Sequence, residues 1–228
     1  MEGRIETGLR RHLANFGERL QAGVPRLGWK VAFNAPAIQQ KLGLPFSLVA
    51  GLTEQTRKPA FGKLSVGEFT RPAAEAEVAV WLNTDLRADS SPAQAAAAVS
   101  GWAPAIEVVD FDRPLSELEE ILAHGVFHRA VVLGEPQPTA PGVDLSGITA
   151  RVTLGDAEVC RVDALAATGQ VSEVLLHLAS LLAPLDEGLK AGDVVILGAM
   201  NPLTLVEANQ RFTVELSGVG TVAVDLSR

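Results

Sequence analysis

Apolar positions along the chain switch between two periods. Ile5, Leu9, His12, Leu13, Phe16 and Leu20 recur at helical spacing, which predicts a helix over 4–22 stopped by Gly23 and Pro25. "RLGWKVAF" then reads as a short strand that carries Lys30 in apolar company. "APAIQQKLGL" predicts a short helix with Pro36 in its first turn and Gly43 at its end. Residues 44–70 hold Pro45, Gly51, Pro59, Gly62 and Gly67 and read as loop.

Beyond residue 70 the pattern is mainly one of strands. "AEAEVAVWL", "APAIEVVDF" and "AVVLGEP" are apolar strand segments, and "ITARVTLGDAEVCRVDA" predicts a hairpin turning at Gly155–Asp156. "GDVVILGAM", "RFTVELSGV" and "GTVAVDL" close the chain as three more strands. Helices interrupt the series at "SPAQAAAAVSGW", with Ser91 as N-cap and Pro92 at its first position, and at the strongly apolar "VSEVLLHLASLLAPL". A third lies in "PLSELEEILAHGV", where Ser116 and Glu119 have capping-box spacing. Many strands with interspersed helices predict an α+β chain with a β-rich core over 61–228. A small helical N-terminal lobe over 1–60 is expected to pack on it.

One strand breaks the apolar pattern. In "RPAAEAEVAV", Glu75 and Glu77 are two apart, so their side chains share a face. Buried and bare, such a pair would repel at a cost of several kcal/mol. Three arrangements are sensible: both face water, they share a proton, or a divalent cation neutralises them. Glu107, in the apolar segment "PAIEVVDF", could approach the pair, and three carboxylates suit a hard cation, Mg2+ or Mn2+. Lys30 has two readings as well. It is either a snorkelling surface lysine or a buried amine able to hold an anion or move a proton.

Composition narrows the classes. The chain has 228 residues, 47% of them hydrophobic, which supports a sizeable core. A net charge of -8, no Tyr and few Phe or Trp argue against a nucleic-acid surface. Cys160 is the lone cysteine, which excludes an intrachain disulfide and is expected to be a small strand residue. The N-terminal segment lacks the pattern of a signal peptide, and no run of about 18 apolar residues predicts a membrane span, so a cytoplasmic protein is expected. A Gly-rich phosphate loop and a G-x-S-x-G elbow are both absent.

"GWKVAFN…IQQKLGL", "RPAAEAEVAV", "APAIEVVD" and "LKAGDVVILGAM" follow in the order and spacing of a known group. The chain resembles the 2-keto-4-pentenoate hydratase / 4-oxalocrotonate decarboxylase group of the fumarylacetoacetate hydrolase superfamily, from about Gly28 to the C-terminus. The resemblance implies a fumarylacetoacetate-hydrolase-like fold of mixed sheets. It implies a divalent metal held by Glu75, Glu77 and Glu107, with Lys30 as the active-site lysine. It also implies a homo-oligomer acting on a small 2-keto carboxylic acid from aromatic ring degradation. Such an acid would chelate the metal, which stabilises the enolate formed on proton loss. Hydratase is the nominal activity. Decarboxylation and C–C hydrolysis begin alike, and a catalytically altered binding or supporting subunit is the alternative of another class.

Two departures bear on that activity. Relatives carry an Asp-Phe-Gly-like segment where this chain reads "LPFSLVAGL", with Leu48 or a neighbour in place of the Asp and Glu54 a few residues on. They carry Asp-Asn-Ala-Ser where this chain reads "AHGVFHRAVVLG", which puts His124 and Gly125 at the Asp and Asn. His124 is therefore the candidate catalytic acid–base group, and the four-residue spacing to His128 would suit a general base or a two-nitrogen site on a helix. His177 is expected to be a packed or edge residue of its helix and His12 a surface one, while Arg71 is expected to anchor an anion or pair with a Glu.

Overall fold

The computed structural model describes residues 3–139 and 142–228. Six α-helices are present among them: α1 (Gly3–Gln21), α2 (Pro36–Leu42), α3 (Pro92–Ala97), α4 (Leu118–Ala123), α5 (Ala164–Thr168) and α6 (Val171–Leu182). The strands of the first half are β1 (Arg26–Ala32), β2 (Leu48–Thr53), β3 (Arg57–Lys58), β4 (Gly62–Ser65), β5 (Pro72–Leu82), β6 (Val99–Asp110), β7 (His128–Leu133) and β8 (Gln137–Pro138). Those of the second half are β9 (Thr149–Leu154), β10 (Ala157–Asp163), β11 (Val194–Ile196), β12 (Thr204–Leu205), β13 (Arg211–Leu216) and β14 (Gly220–Ser227).

The strands form two sheets. One runs β2-β1-β11-β5-β6-β7-β3, with β12 added on β5 and β8 on β6. The other runs β10-β9-β13-β14-β4, and its β13 and β14 pack against β6. This is the expected mixture of sheets with few helices. The hairpin at Gly155–Asp156 is β9–β10.

The larger sheet curls. Leu27, Leu52, Ala79, Ala105, Val131, Leu133, Val194 and Ile196 come from β1, β2, β5, β6, β7 and β11, yet they form one buried cluster. Strands that far apart share a cluster only if the sheet wraps round it. The opposite faces of the same strands face a second, larger core shared with the five-stranded sheet and the helices. Both faces of β5 and β6 are therefore buried, which explains their near-continuous apolar sequence.

Four expectations are corrected. The chain does not divide at residue 60, because β1 lies inside the nine-stranded sheet between β2 and β11, and β2 pairs antiparallel with β1. Segment 1–60 is thus part of the core rather than a helical lobe. Strand β2 was hidden by Gly51, which reads as loop punctuation; a Cβ there would lie 2.9 Å from the Phe16 ring, so α1 packs directly on bare strand backbone. His12 is buried, not on the surface: its Nε2 accepts the Gly51 N–H at 2.7 Å, and burial pushes its pKa down to about 4. In α4 the capping box does not form. The helix starts at Leu118, and Glu119 and Glu120 instead meet Arg11 of α1 at 3.2 and 2.5 Å.

Residues Ala164–Leu185 reach a mean hydropathy of 1.3 over a helical stretch long enough to cross a membrane. Gly169 interrupts it between α5 and α6, and α6 lays Leu175, Leu178 and Leu182 on the core. Those leucines explain the apolar run as packing.

The parallel pairing of β1 with β11 places Lys30, and it depends on Gly28. That residue has φ +146, and a Cβ on it would fall 2.0 Å from the carbonyl oxygen of Val194. Gly28→Ala is expected to destabilise the fold by more than about 3 kcal/mol, read as a thermal melt lowered by about 6 °C or more or as loss of soluble protein. An unchanged melting temperature would show that β1 does not need this close approach.

Candidate metal centre

Strands β5 and β6 pair antiparallel from Pro72 opposite Asp110 to Leu82 opposite Val99. That register sets Glu75 directly across from Glu107, and Glu77 follows two residues on along the same face. One carboxylate oxygen from each of the three lies within 4.8 Å of the others. They sit at one end of the inner cluster of the curled sheet, which Ala79 and Ala105 continue on the same faces. Glu77 and Glu107 are fully buried, and Glu75 forms part of the wall of a cavity of about 520 Å3.

Each carboxylate has a different environment. Glu107 Oε1 accepts from Lys30 Nζ and from His128 Nδ1, the latter at 2.7 Å. Glu77 Oε2 accepts the Gly198 N–H at 2.7 Å. The second oxygens, Glu107 Oε2 and Glu77 Oε1, are buried with no hydrogen-bond partner. Burial first, and then the neighbouring Glu107, raise the Glu75 carboxyl to about 7. Burial, Glu107 and Glu75 together push Glu77 well above the usual carboxylate range. For Glu107 burial acts upward too, but the Lys30 charge and the His128 hydrogen bond outweigh it and hold the group below its ordinary value.

Of the three arrangements open to the sequence, bulk water is excluded for Glu77 and Glu107. Two orphaned carboxylate oxygens and a third carboxylate within reach are a hard-oxygen donor set with spare lone pairs. That set fits a divalent cation of the Mg2+ or Mn2+ type.

Lys30 is buried, 2% exposed, so the snorkelling reading does not hold. Three strand steps separate β1 from β6 in the sheet order, about 14 Å if flat, and the curl is what lets the side chains meet. A second Lys30 donor meets the Val126 carbonyl at 3.1 Å, and the residue lines the cavity, where the third can point. Val126 occupies a turn of three successive left-handed residues: Gly125 at φ 77, Val126 at φ 54 and Phe127 at φ 64. A β-branched residue there is rare, and such strain collects at functional sites.

The two candidate histidines separate. His124 is exposed at the C-cap of α4, with Nδ1 2.8 Å from the Glu120 carbonyl and 3.3 Å from Arg113, and it is not brought to the carboxylates. His128 is: it opens β7 behind Glu107, and its Nε2 lies 2.8 Å from Thr56 Oγ1. The left-handed turn ends the helix between them, so the four-residue spacing never becomes a shared helix face. Burial lowers the His128 pKa against the pull of Glu107. The neutral ring then donates from Nδ1 to Glu107 and accepts from Thr56.

The segment after β11 was legible only as a strand. It delivers the Gly198 N–H to Glu77 and the buried Asn201 to β5, where its Oδ1 accepts the Ala76 N–H at 2.6 Å and its Nδ2 donates to the Ala74 carbonyl at 3.1 Å. The Asn201 side chain thus takes the place of a neighbouring strand beside the two glutamates. Leu48 is fully buried in β2 and Glu54 faces Arg57 at 3.3 Å, so neither brings an acid to the cavity. His177 is packed as expected, with Nε2 2.9 Å from the Ser47 carbonyl, and Cys160 is half-buried in β10.

Comparison with known proteins places this geometry. Residues 15–227 match the family model described as fumarylacetoacetate (FAA) hydrolase C-terminal. The 2-keto-4-pentenoate hydratase 2 of Dechloromonas aromatica (strain RCB) is 26% identical over 219 residues, covering 90% of this chain and 79% of the relative. The 4-oxalocrotonate decarboxylase of a Pseudomonas species is 24% identical over 208 residues, covering 90% and 80%. Among solved structures, 4-oxalocrotonate decarboxylase from Pseudomonas putida, complexed with magnesium and adipate, superposes with a TM-score of 0.84 at 19% identity over 94% of this chain and 83% of that one. Fumarylpyruvate hydrolase from Pseudomonas aeruginosa, in complex with Mn2+ and pyruvate, gives 0.70 at 18% identity over 90% of each chain. These two likenesses are of fold. With the family model spanning nearly its whole length, the chain belongs to the fumarylacetoacetate hydrolase family.

Proposed function

We propose that this chain is a divalent-metal-dependent lyase, hydratase in type, acting on a small 2-keto or 2-hydroxy-dienoic acid. The observation that carries the reading is the pair of buried, partnerless oxygens on Glu77 and Glu107 beside Glu75. Relatives named for 2-keto-4-pentenoate hydration and 4-oxalocrotonate decarboxylation support the reaction class. Glu75, Glu77 and Glu107 would hold the cation, Mg2+ or Mn2+, which when bound supplies Lewis acidity toward a chelating keto acid.

The chain's own residues do the rest. Lys30 is fixed by Glu107 and Val126, so its remaining N–H is aimed at whatever sits over the carboxylates. It orients an anionic oxygen there and stands ready to give or take a proton. His128 and Thr56 keep Glu107 from rotating and so keep Lys30 in place. Phe33, Phe111 and Phe127 line the cavity and offer an apolar wall to the hydrocarbon part of the substrate. Decarboxylation is a second reading. It needs no activated water, and among the described residues the cavity carries no carboxylic acid besides Glu75.

Turnover of 2-hydroxypenta-2,4-dienoate, followed as loss of enol absorbance, is expected to require added Mg2+ or Mn2+ and to stop with chelator. Glu77→Ala should lower kcat by about a thousandfold or more, and Lys30→Met by about a hundredfold with metal affinity retained. Saturable ligand binding with no turnover of any 2-keto acid would replace the lyase with a binding protein.

Stability without metal should depend on pH in a defined sense. Glu75 is raised from 4.5 to about 7, so between those values the folded chain binds more protons than the unfolded one. The stabilisation by the protonated form is complete below 4.5 and is lost as pH rises through about 7, on the order of 2–3 kcal/mol. Glu77 acts in the same direction, and Glu107, held low, acts oppositely only toward acid pH. Chelated protein should therefore melt several degrees lower at pH 8 than at pH 5.5, and Mg2+ should restore more at pH 8. Glu77→Gln should flatten both dependences. A melt insensitive to Mg2+ at both pH values would remove the cation from the proposal.

A further inference from the structure

Strand register orders the cavity wall into levels. Glu75 faces Glu107 and Ala73 faces Val109, and the ladder continues one step past β6, where the Phe111 N–H donates to the Arg71 carbonyl at 3.1 Å. Residues 107, 109 and 111 alternate onto one face, and both Val109 and Phe111 line the cavity. Each level lies about 7 Å beyond the one before it. The carboxylates are thus followed by a level of Val109 and the small Ala73, and then by an aromatic one. There the Phe111 and Phe127 rings are tilted together with centroids 4.8 Å apart, and Phe33 and Leu203 share the same cavity.

A five-carbon keto acid stops short of that level. Chelated through C1 and C2, it extends only about 4 Å further to C5, at roughly 1.3 Å per bond, and so ends beside Val109. It takes up the space of about six waters, roughly 180 Å3, in a cavity of about 520 Å3. The outer part of the cavity is walled mainly by hydrocarbon. Leu203 is 57% exposed, one of three large apolar side chains left exposed among the described residues, and it lines this cavity. Six non-glycine residues among the described ones have left-handed φ, and three of them, Phe33, Val126 and Phe127, line it as well. Backbone strain of that kind persists where the surrounding structure holds a side chain in place for use. Lys41 and Arg71 stand exposed at the rim, so their charged heads stay in water while their stems add hydrocarbon to the wall.

Resting on the proposed function, we propose that the Phe111–Phe127 level is a subsite for a ring-sized apolar group at the distal end of the substrate, so that this chain selects monoanionic 2-keto acids with an aryl or comparably bulky hydrocarbon tail over those that end at C5. The gain comes from apolar area removed from water and from ring packing against the tilted pair. 2-Hydroxypenta-2,4-dienoate is then the shortest member of the substrate class rather than its best.

Calorimetry on the Mg2+-loaded chain tests this with three probes: oxalate, 2-oxopentanoate and 2-oxo-5-phenylpentanoate. The last two share the keto-acid end and the charge and differ in the terminal phenyl group. The phenyl acid is expected to bind about tenfold or more tighter than 2-oxopentanoate, with a more negative heat capacity of binding and a preference that salt leaves unchanged. F111A should cut the preference to about threefold or less, and L203S, which touches no core position, should lower it by about two- to threefold, both with oxalate held as before. Equal affinity for the two keto acids in the unmodified chain, with oxalate still bound, overturns the subsite alone. So does a preference that survives whole in both variants, or an F111A chain that weakens oxalate as much as the phenyl acid while L203S changes nothing. Absence of Mg2+-dependent oxalate binding overturns the metal centre itself, and the subsite with it.

Discussion

The structure is organised round one oxygen. Glu107 Oε1 takes hydrogen bonds from both Lys30 and His128, in a place where burial opposes ionisation. Without those donors three carboxylates at the end of a dry cluster would all drift toward protonation. With them, one stays charged while its two neighbours are pushed upward. The result is a centre that is poorly satisfied by the protein alone. Repulsion and orphaned lone pairs are tolerated because the surrounding packing over-determines the positions, which is the usual signature of a site built for something else to enter.

The geometry of that oxygen explains much of the fold. Lys30 reaches Glu107 only because the nine-stranded sheet curls, and the curl is filled by the inner cluster of Leu27, Leu52, Val131, Ile196 and their neighbours. On the other side of β6, Ile106 and Val108 belong to the larger core that also holds Phe212, Val214, Val222 and Val224 of the second sheet. One strand thus carries the charged centre on one face and the inter-sheet packing on the other. Rigid interiors transmit displacement, so the spacing of the carboxylates depends on the core packed on the opposite face of their strands.

Most strands and helices were legible because their periods are regular, and Glu75, Glu77 and Glu107 were legible because charge in an apolar strand is conspicuous. What escaped reading has a common cause, namely dependence on long-range contact. Gly51 looks like a turn residue until Phe16 is seen lying on it. His12 occupies a helical position open to either face, and only the β2 backbone decides which. The histidines at 124 and 128 were read by spacing, but the left-handed run from Gly125 to Phe127 rotates them to opposite destinations. No local propensity marks Val126 for that conformation, since β-branched residues avoid it. Asn201 is the same kind of case: an unremarkable polar residue after a strand becomes the surrogate edge of β5.

The strained turn and the cationic mouth bear on one question, namely how an acidic protein admits an anion. With a net charge of -8, the long-range field opposes approach of a carboxylate. Over a Debye length of about 8 Å only nearby charges count, and at the cavity these are basic. Deeper in, Lys30 offers the last fixed positive charge, held by the carbonyl of the left-handed Val126. The basic residues therefore form a graded path from Lys41 and Arg71 at the rim to Lys30 at the floor, ending against three carboxylates. An anion that follows that path reaches Lys30 beside the three carboxylates, where a cation held by them would supply the charge that the path itself runs out of.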